Sequence, residues 1–458
     1  MKIRNLIVAA GVFFILAGLL YRSEHQKPGE EGAKAAADVP PAILKLDAAS
    51  ITRLDLVKQG EKPIVVAKTD AGKWRITEPQ PLGADQTAVS GIVSTVSSLN
   101  SERLVDDKAT DLKSYGLDPP AFQVDVTEKD HKEQKLLIGG DTPTGGATYA
   151  MLAGDPRVFT MAPFAKSSLE KSLDDLRDKR LLTVDPDKIS RIELARKNQD
   201  IEFGRNKEDW QILRPQPGRA DTFLVGELAR KLTDARMDLS DADAKKTAAA
   251  FAHAAPLATV KVTDEAGVQE LQVRQSQETK SQAGKTPGGA PEGTKAYYAK
   301  SSAVDGIYKI NADLAQSLDK NVDDFRNKKL FDFGFSDPDK IELHSGAKTY
   351  IFTRKGEDWW RDGKKMEPVS AQEMVSKLRN LAADKFPENG FANPSVDVTV
   401  TSGDGKRQEK AQIAKSSDGY VAKRENDPAL YHLESSSVDS LLKAADEIKP
   451  EAPAGKKK

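Results

Sequence analysis

Asp174-Asp175-Leu176-Arg177-Asp178-Lys179-Arg180-Leu181-Leu182 returns almost residue for residue as Asp323-Asp324-Phe325-Arg326-Asn327-Lys328-Lys329-Leu330-Phe331. Each copy is followed by Asp-Pro-Asp-Lys-Ile, at 185–189 and 337–341, and then by strand-like alternation. The two copies mark joints between repeats, and the rest of the body can be aligned outward from them.

Upstream of each joint the order of elements is the same. Lys73-Trp74-Arg75-Ile76 and Asp209-Trp210-Gln211-Ile212 read as strands, and Val89 and Val225 each lie 15 residues beyond the tryptophan. There an apolar stripe at helical spacing begins, with Val89, Ile92, Val93, Val96 and Leu99 in the first unit and Val225, Leu228 and Leu232 in the second. A third unit carries Trp359-Trp360 and the stripe Met374, Val375, Leu378 and Leu381. The 15-residue spacing is met by both Trp359–Met374 and Trp360–Val375, so it leaves open which tryptophan is equivalent. Tyr149 to Phe159 and Tyr298 to Tyr308 span 10 residues, and Tyr420 to Tyr431 spans 11. No copy of the joint closes the third unit, which reads as an atypical terminal repeat.

These patterns predict an α+β protein: an N-terminal transmembrane helix, then three tandem, related α+β domains with antiparallel sheets. The expected boundaries are 1–23 for the anchor, 24–49 for a flexible tether, 50–182, 183–331 and 332–447 for the repeats, and 448–458 for a Lys-rich tail. A Gly, Ser, Thr, Lys and Pro stretch at about 275–295 reads as a long loop in the second repeat.

The 458 residues exceed what one core usually organises. With 69 basic against 70 acidic side chains, the chain has no overall field to attract nucleic acid. It has no cysteine, which excludes disulfides, thiolate metal sites and a lipid-modified thiol. Leu6 to Tyr21 is a 16-residue run without charge, preceded by Lys2 and Arg4 and closed by Arg22. Snorkelling lysine and arginine stems extend its reach, so residues 3–21 are expected to enter the lipid bilayer. The basic N-terminus places the start of the chain in the cytoplasm and the body beyond the membrane. A cleaved signal peptide is the rival, but Leu19-Leu20-Tyr21-Arg22 lacks the small residues a signal peptidase requires.

The anchor, Ser50-Ile51, Gly72-Lys73-Trp74 and the turn Tyr115-Gly116-Leu117-Asp118-Pro119-Pro120 together resemble the bacterial DUF4340 family. The resemblance runs over 50–447. The first repeat keeps the turn intact, whereas Ala255-Pro256 and Gly390-Phe391-Ala392-Asn393-Pro394 stand near its place in the others. It implies a role near a membrane complex of the ABC-type or gliding-machinery kind and assigns no catalytic residue.

The residues themselves point away from chemistry. The five histidines, His25, His131, His253, His344 and His432, are scattered, so no metal is expected. Gly139-Gly140 and Gly145-Gly146 lack the Lys-Ser/Thr ending of a phosphate loop and read as turns. Asp175–Lys179 and Asp324–Lys328 read as i,i+4 pairs on a helix. Asp175, Leu176, Arg177, Asp324, Phe325 and Arg326 are therefore candidate inter-domain contacts. Phe325, Leu330, Phe331, Phe333 and Phe335 give the second joint apolar surface to bury. One of Trp359 and Trp360 is expected to face outward as a contact aromatic. The expectation is a non-catalytic envelope scaffold or accessory subunit of a membrane complex, without cofactor. A solute- or glycan-binding module feeding a transporter and a carboxylate-dependent hydrolase are the alternatives.

Overall fold

The computed structural model describes residues 41–207, 209–240, 243–277 and 295–451. The anchor, residues 24–40 of the tether and the middle of the long loop lie outside them. Among the described residues no helix is long and apolar enough to cross a membrane.

The chain is an α+β protein of antiparallel sheets. In the first repeat the strands lie in the order Leu82–Gly83, Trp74–Glu78, Ile64–Lys68, Ile51–Lys58, Phe122–Glu128, Glu133–Asp141, Thr148–Leu152, Val158–Met161 and Arg103–Asp106. The second sheet runs Gly218–Arg219, Asp209–Arg214, Gln199–Asn206, Arg191–Arg196, Ala255–Asp264, Gly267–Gln277, Lys295–Ser301 and Ile307–Ile310. The third repeats that order, from Lys364–Lys365 and Asp358–Arg361 at one edge, through Lys340–Ser345 beside Val396–Ser402, to Leu430–Leu433 at the other. Among the described residues, 41 to Lys179 form one compact unit, and Arg180 to Glu451, with the second and third repeats, form another.

Side-chain alternation fixes the register of every sheet. Leu54 sits between Val66 and Val126, Ile192 between Phe203 and Val262, and Ile341 between Phe352 and Val400, all in the cores. Ile341 is thus the counterpart of Ile192 and not of Ile189, so the Asp-Pro-Asp-Lys-Ile copies are offset by three residues in the fold.

A 12-residue helix covers one face of each sheet: Gln86–Ser97, Thr222–Thr233 and Pro368–Arg379. Each begins on a carboxylate that accepts first-turn N–H groups, from Asp85, Asp221 and Glu367. The expected stripes are buried, each large side chain adding roughly 1.5–3 kcal/mol. Leu99 lies past the helix, in the short strand Ser98–Asn100.

Strand pairing settles the tryptophan equivalence. Trp74 faces Lys68, Trp210 faces Arg205 and Trp359 faces Arg354, and all three indoles are buried. Trp360 is their outward neighbour. The 11-residue tyrosine spacing has a similar origin: Ala150, Ala299 and Ala422 face Phe159, Tyr308 and Tyr431, and Tyr420 stands two places before Ala422 where Tyr149 and Tyr298 stand one before their alanines.

The Tyr115–Pro120 turn covers the other face of the first sheet. Leu117 is buried with Met151 and Val158, and the Tyr115 ring meets Tyr149 edge-on at 5.0 Å. Gly116 adopts φ 68°, and a Cβ there would stand 2.8 Å from the Gly140 nitrogen. A Cβ on Gly139 would stand 2.2 Å from the Tyr115 oxygen. Gly139 and Gly140 therefore lie within the strand Glu133–Asp141 and let two backbones touch; they are not turn residues. In the second repeat the helix Ala244–His253 lies at this place in the order, with Phe251 buried under Arg274 at 4.6 Å.

Candidate functional site

The repeated stretch folds as one turn of helix followed by an extended strand. Leu173–Leu176 and Val322–Phe325 are the helical turns. Asp175 closes the first by accepting from the Ser172 N–H at 3.0 Å and Oγ at 2.6 Å, and Asp324 accepts from the Asn321 N–H at 2.8 Å. These bonds hold the Asp175 carboxyl below its usual range. Arg177 and Arg326 already have ψ 142°, so the chain leaves the helix before Lys179 and Lys328. The expected i,i+4 pairs therefore do not form; the carboxylates cap the turn.

The strand that follows docks by its backbone. In the second joint the Asp221 N–H donates to the Phe325 carbonyl at 2.7 Å and the Asn327 N–H to that of Arg219 at 2.9 Å. Further on, the Ala383 N–H donates to the Lys328 carbonyl at 2.7 Å and the Leu330 N–H to that of Leu381 at 2.9 Å. One strand thus pairs with the second repeat at its start and the third at its end. In the first unit Asp85 donates to Leu176 and Asp178 to Gly83 in the same register. In the second unit Leu181 donates to Ala235 as Leu330 does to Leu381.

Both ends of the array use the same device. The strand Ala42–Lys45 pairs with Ser98–Asn100, and Ile43 and Leu44 are buried. Leu44, Leu182 and Phe331 each stand 10 residues before Leu54, Ile192 and Ile341. The first repeat therefore begins before Ser50, with its own opening strand. At the other end the Glu367 N–H donates to the Lys449 carbonyl at 2.9 Å, and that of Glu451 to Lys365 at 2.8 Å. The third repeat thus has a closing strand, contrary to the sequence reading. Ile448–Glu451 belong to the fold, and the Lys-rich tail past them lies outside the described residues.

The side chains of the second joint form a partly buried network. Phe325 is 1% exposed and meets Phe203 edge-on at 5.1 Å. Arg326 is 7% exposed, with Nε 3.0 Å from Asp323 and its guanidinium 5.3 Å from the Phe386 ring. Phe386 in turn packs edge-on against Tyr431 at 5.2 Å. The Tyr431 hydroxyl donates to Asp427 at 2.7 Å, and burial, then that carboxylate, raises its pKa. Arg219 donates to the Lys329 carbonyl at 2.8 Å and stands 3.6 Å from Asp332. Glu409 accepts from the Asp332 N–H at 3.0 Å and from Arg424 at 2.7 Å. Leu330, Phe331 and Phe333 are buried, whereas Phe335 is fully exposed and adds nothing to the joint.

Among the sequence candidates, Arg326 reaches a partner across the joint, Leu176 and Phe325 lie in the cores of the repeats they close, Arg177 is half-buried, and Asp175 and Asp324 cap. Trp359 is withdrawn as a contact aromatic because strand alternation points it into the core. Trp360 is half-buried, with the Lys355 ammonium 5.3 Å from its ring. Arg219, Asp332, Glu409, Arg424 and Asp427 were missed. The visible signal was Gly83-Ala84-Asp85 recurring as Arg219-Ala220-Asp221, the receiving edge of each joint. Among the described residues no group of three or more His, Asp or Glu side chains is arranged to hold a metal. The network orders two repeats through charge-assisted hydrogen bonds and aromatic packing.

A tandem array of α+β repeats, each opened and closed by a docked strand, is the class these features define. The family described as a domain of unknown function, DUF4340, matches residues 74–222 and again 210–390. The chain belongs to that family. No curated protein and no solved structure matches it.

Proposed function

We propose that this protein is a non-catalytic scaffold or accessory subunit of a membrane complex of the ABC-type transport kind. It is held in the inner (cytoplasmic) membrane by residues 3–21, with its N-terminus in the cytoplasm and its body outside. The observation that carries the reading is the second joint. Its strand is paired on both sides and its arginine is buried against the next repeat, which suits a body that presents its surfaces at fixed spacing. The charged N-terminal flank and the uncharged run Leu6 to Tyr21 support the anchor. The test is mild-detergent isolation of the full-length chain, with mass spectrometry of what stays bound, beside a form lacking residues 1–23. Recovery of a permease or ATPase with both forms is expected and places the contact in the repeats. Recovery of the full-length chain alone, as a monomer, overturns the reading.

A further inference from the structure

The described body begins at Pro41, which is exposed and marks where the chain from the N-terminal run arrives. The Pro41 carbonyl accepts the Ser101 N–H at 3.0 Å and the Ser101 hydroxyl at 2.7 Å. The next residue, Glu102, donates its N–H to the Thr160 carbonyl at 2.7 Å, and Arg103–Asp106 then forms the outermost strand of the first sheet. Among the described residues only the first repeat has this added strand. At the matching edges of the second and third sheets it is reduced to the single bridges Asp238–Lys309 and Lys385–His432.

Two large apolar side chains are left exposed among the described residues of the first repeat, and both belong to this edge. Leu104 is 39% exposed and faces Phe159 across the outermost ladder. Phe164 is 76% exposed and lies in the helix Pro163–Leu169, which follows directly on that ladder's other strand, Val158–Met161. Ala165 and Leu169 seat the helix in the core, so Phe164 is held outward. The charges beside the pair cancel: Glu102 and Arg103 are adjacent and exposed, and the Lys166 ammonium is 3.0 Å from Asp141. An aromatic and a leucine without net charge suit the headgroup–acyl boundary of a bilayer better than a charged partner.

We propose that the edge of the first repeat around Phe164 and Leu104 docks on the lipid surface. The proposal rests on the reading that residues 3–21 enter the bilayer. Residues 22–40 are then all that separates this edge from the membrane, and fully extended they reach at most about 65 Å. Such confinement raises the effective concentration of lipid at the edge, so a contact too weak for an untethered protein is populated.

Because the chain has no cysteine, a single thiol-reactive fluorophore reports on one chosen position. The full-length chain, labelled at Ser167→Cys, is reconstituted into phosphatidylcholine vesicles containing a nitroxide lipid quencher. Ser167 is exposed one turn beyond Phe164. Gln372→Cys is the matched control in the third repeat, exposed one turn beyond Val369, which is itself 73% exposed. Quenching is expected at 167 and not at 372, and raised salt should leave it unchanged. Phe164→Ser should weaken the docking about tenfold, the loss of one apolar side chain from lipid, and Phe164→Trp should restore it. Flotation with the vesicles is read first: a chain that does not float overturns the anchor and the docking together. A chain that floats without quenching at 167, with equal quenching at 167 and 372, or with quenching that survives Phe164→Ser keeps the anchor and overturns the docking.

Discussion

The closing strands of the second and third repeats are made by the same backbone and by unrelated side chains. Phe325-Arg326-Asn327 and Lys449-Pro450-Glu451 pair with Arg219-Ala220-Asp221 and Lys365-Met366-Glu367 in one register. The first buries a phenylalanine in the core of its own repeat and an arginine against the following one, while Lys449 and Pro450 are exposed. The ladder closes a repeat, and the side chains decide whether another is held behind it.

Substitutions at matched positions sharpen that contrast. Phe325→Ala should cost about 3–5 kcal/mol in denaturant unfolding, because it empties a core site, while Lys449→Ala should stay within about 0.5 kcal/mol. Equal costs would mean that the ladder alone closes a repeat. Arg326→Met comes next, at about 1.5–3 kcal/mol, since it removes the charged bond to Asp323 and the stacking on Phe386. Pro450→Ala should cost less than about 1 kcal/mol, mostly through the unfolded chain.

Ending the chain after Ile448 removes two backbone bonds, at Lys449 and Glu451, and should cost about 1–3 kcal/mol. The loss should appear as faster exchange at Glu367. The smallest effect is acid sensitivity at Asp175, whose capping role the third closing strand lacks. Its carboxyl is held below the ordinary range, so the stabilisation is present above the unfolded value and disappears as pH falls through the lowered one. Asp175→Asn should flatten that part of the urea midpoint between pH 5 and 2.

Much of the fold was legible because it is written in side-chain periodicity. The buried tryptophans, the helix stripes and the repeat of elements all follow from alternation at 2 or 3.6 residues. The joints were visible only where side chains recur. Leu176 and Phe325 announced two of them, but Lys449-Pro450-Glu451 performs the same pairing with N–H and C=O groups that every sequence supplies. Ala42–Lys45 was hidden differently, since four residues ahead of a polar stretch carry too little pattern to stand out. Gly139 looked like a turn because the contact that requires it comes from Tyr115, 24 positions away. The arginine network was unreadable because its members are brought together by pairing between distant strands.

The joint strand has a consequence for how such a chain lengthens. Its first half completes one repeat and its second half begins the next, so the natural seam falls inside the strand and not in a loop. A duplicated segment from Arg180 to Asn327 would carry an opening half at one end and a closing half at the other. Inserted at that seam, the copy would meet compatible hydrogen-bonding edges on both sides. Copy number in this lineage is therefore a variable that gene duplication can change without first inventing an interface.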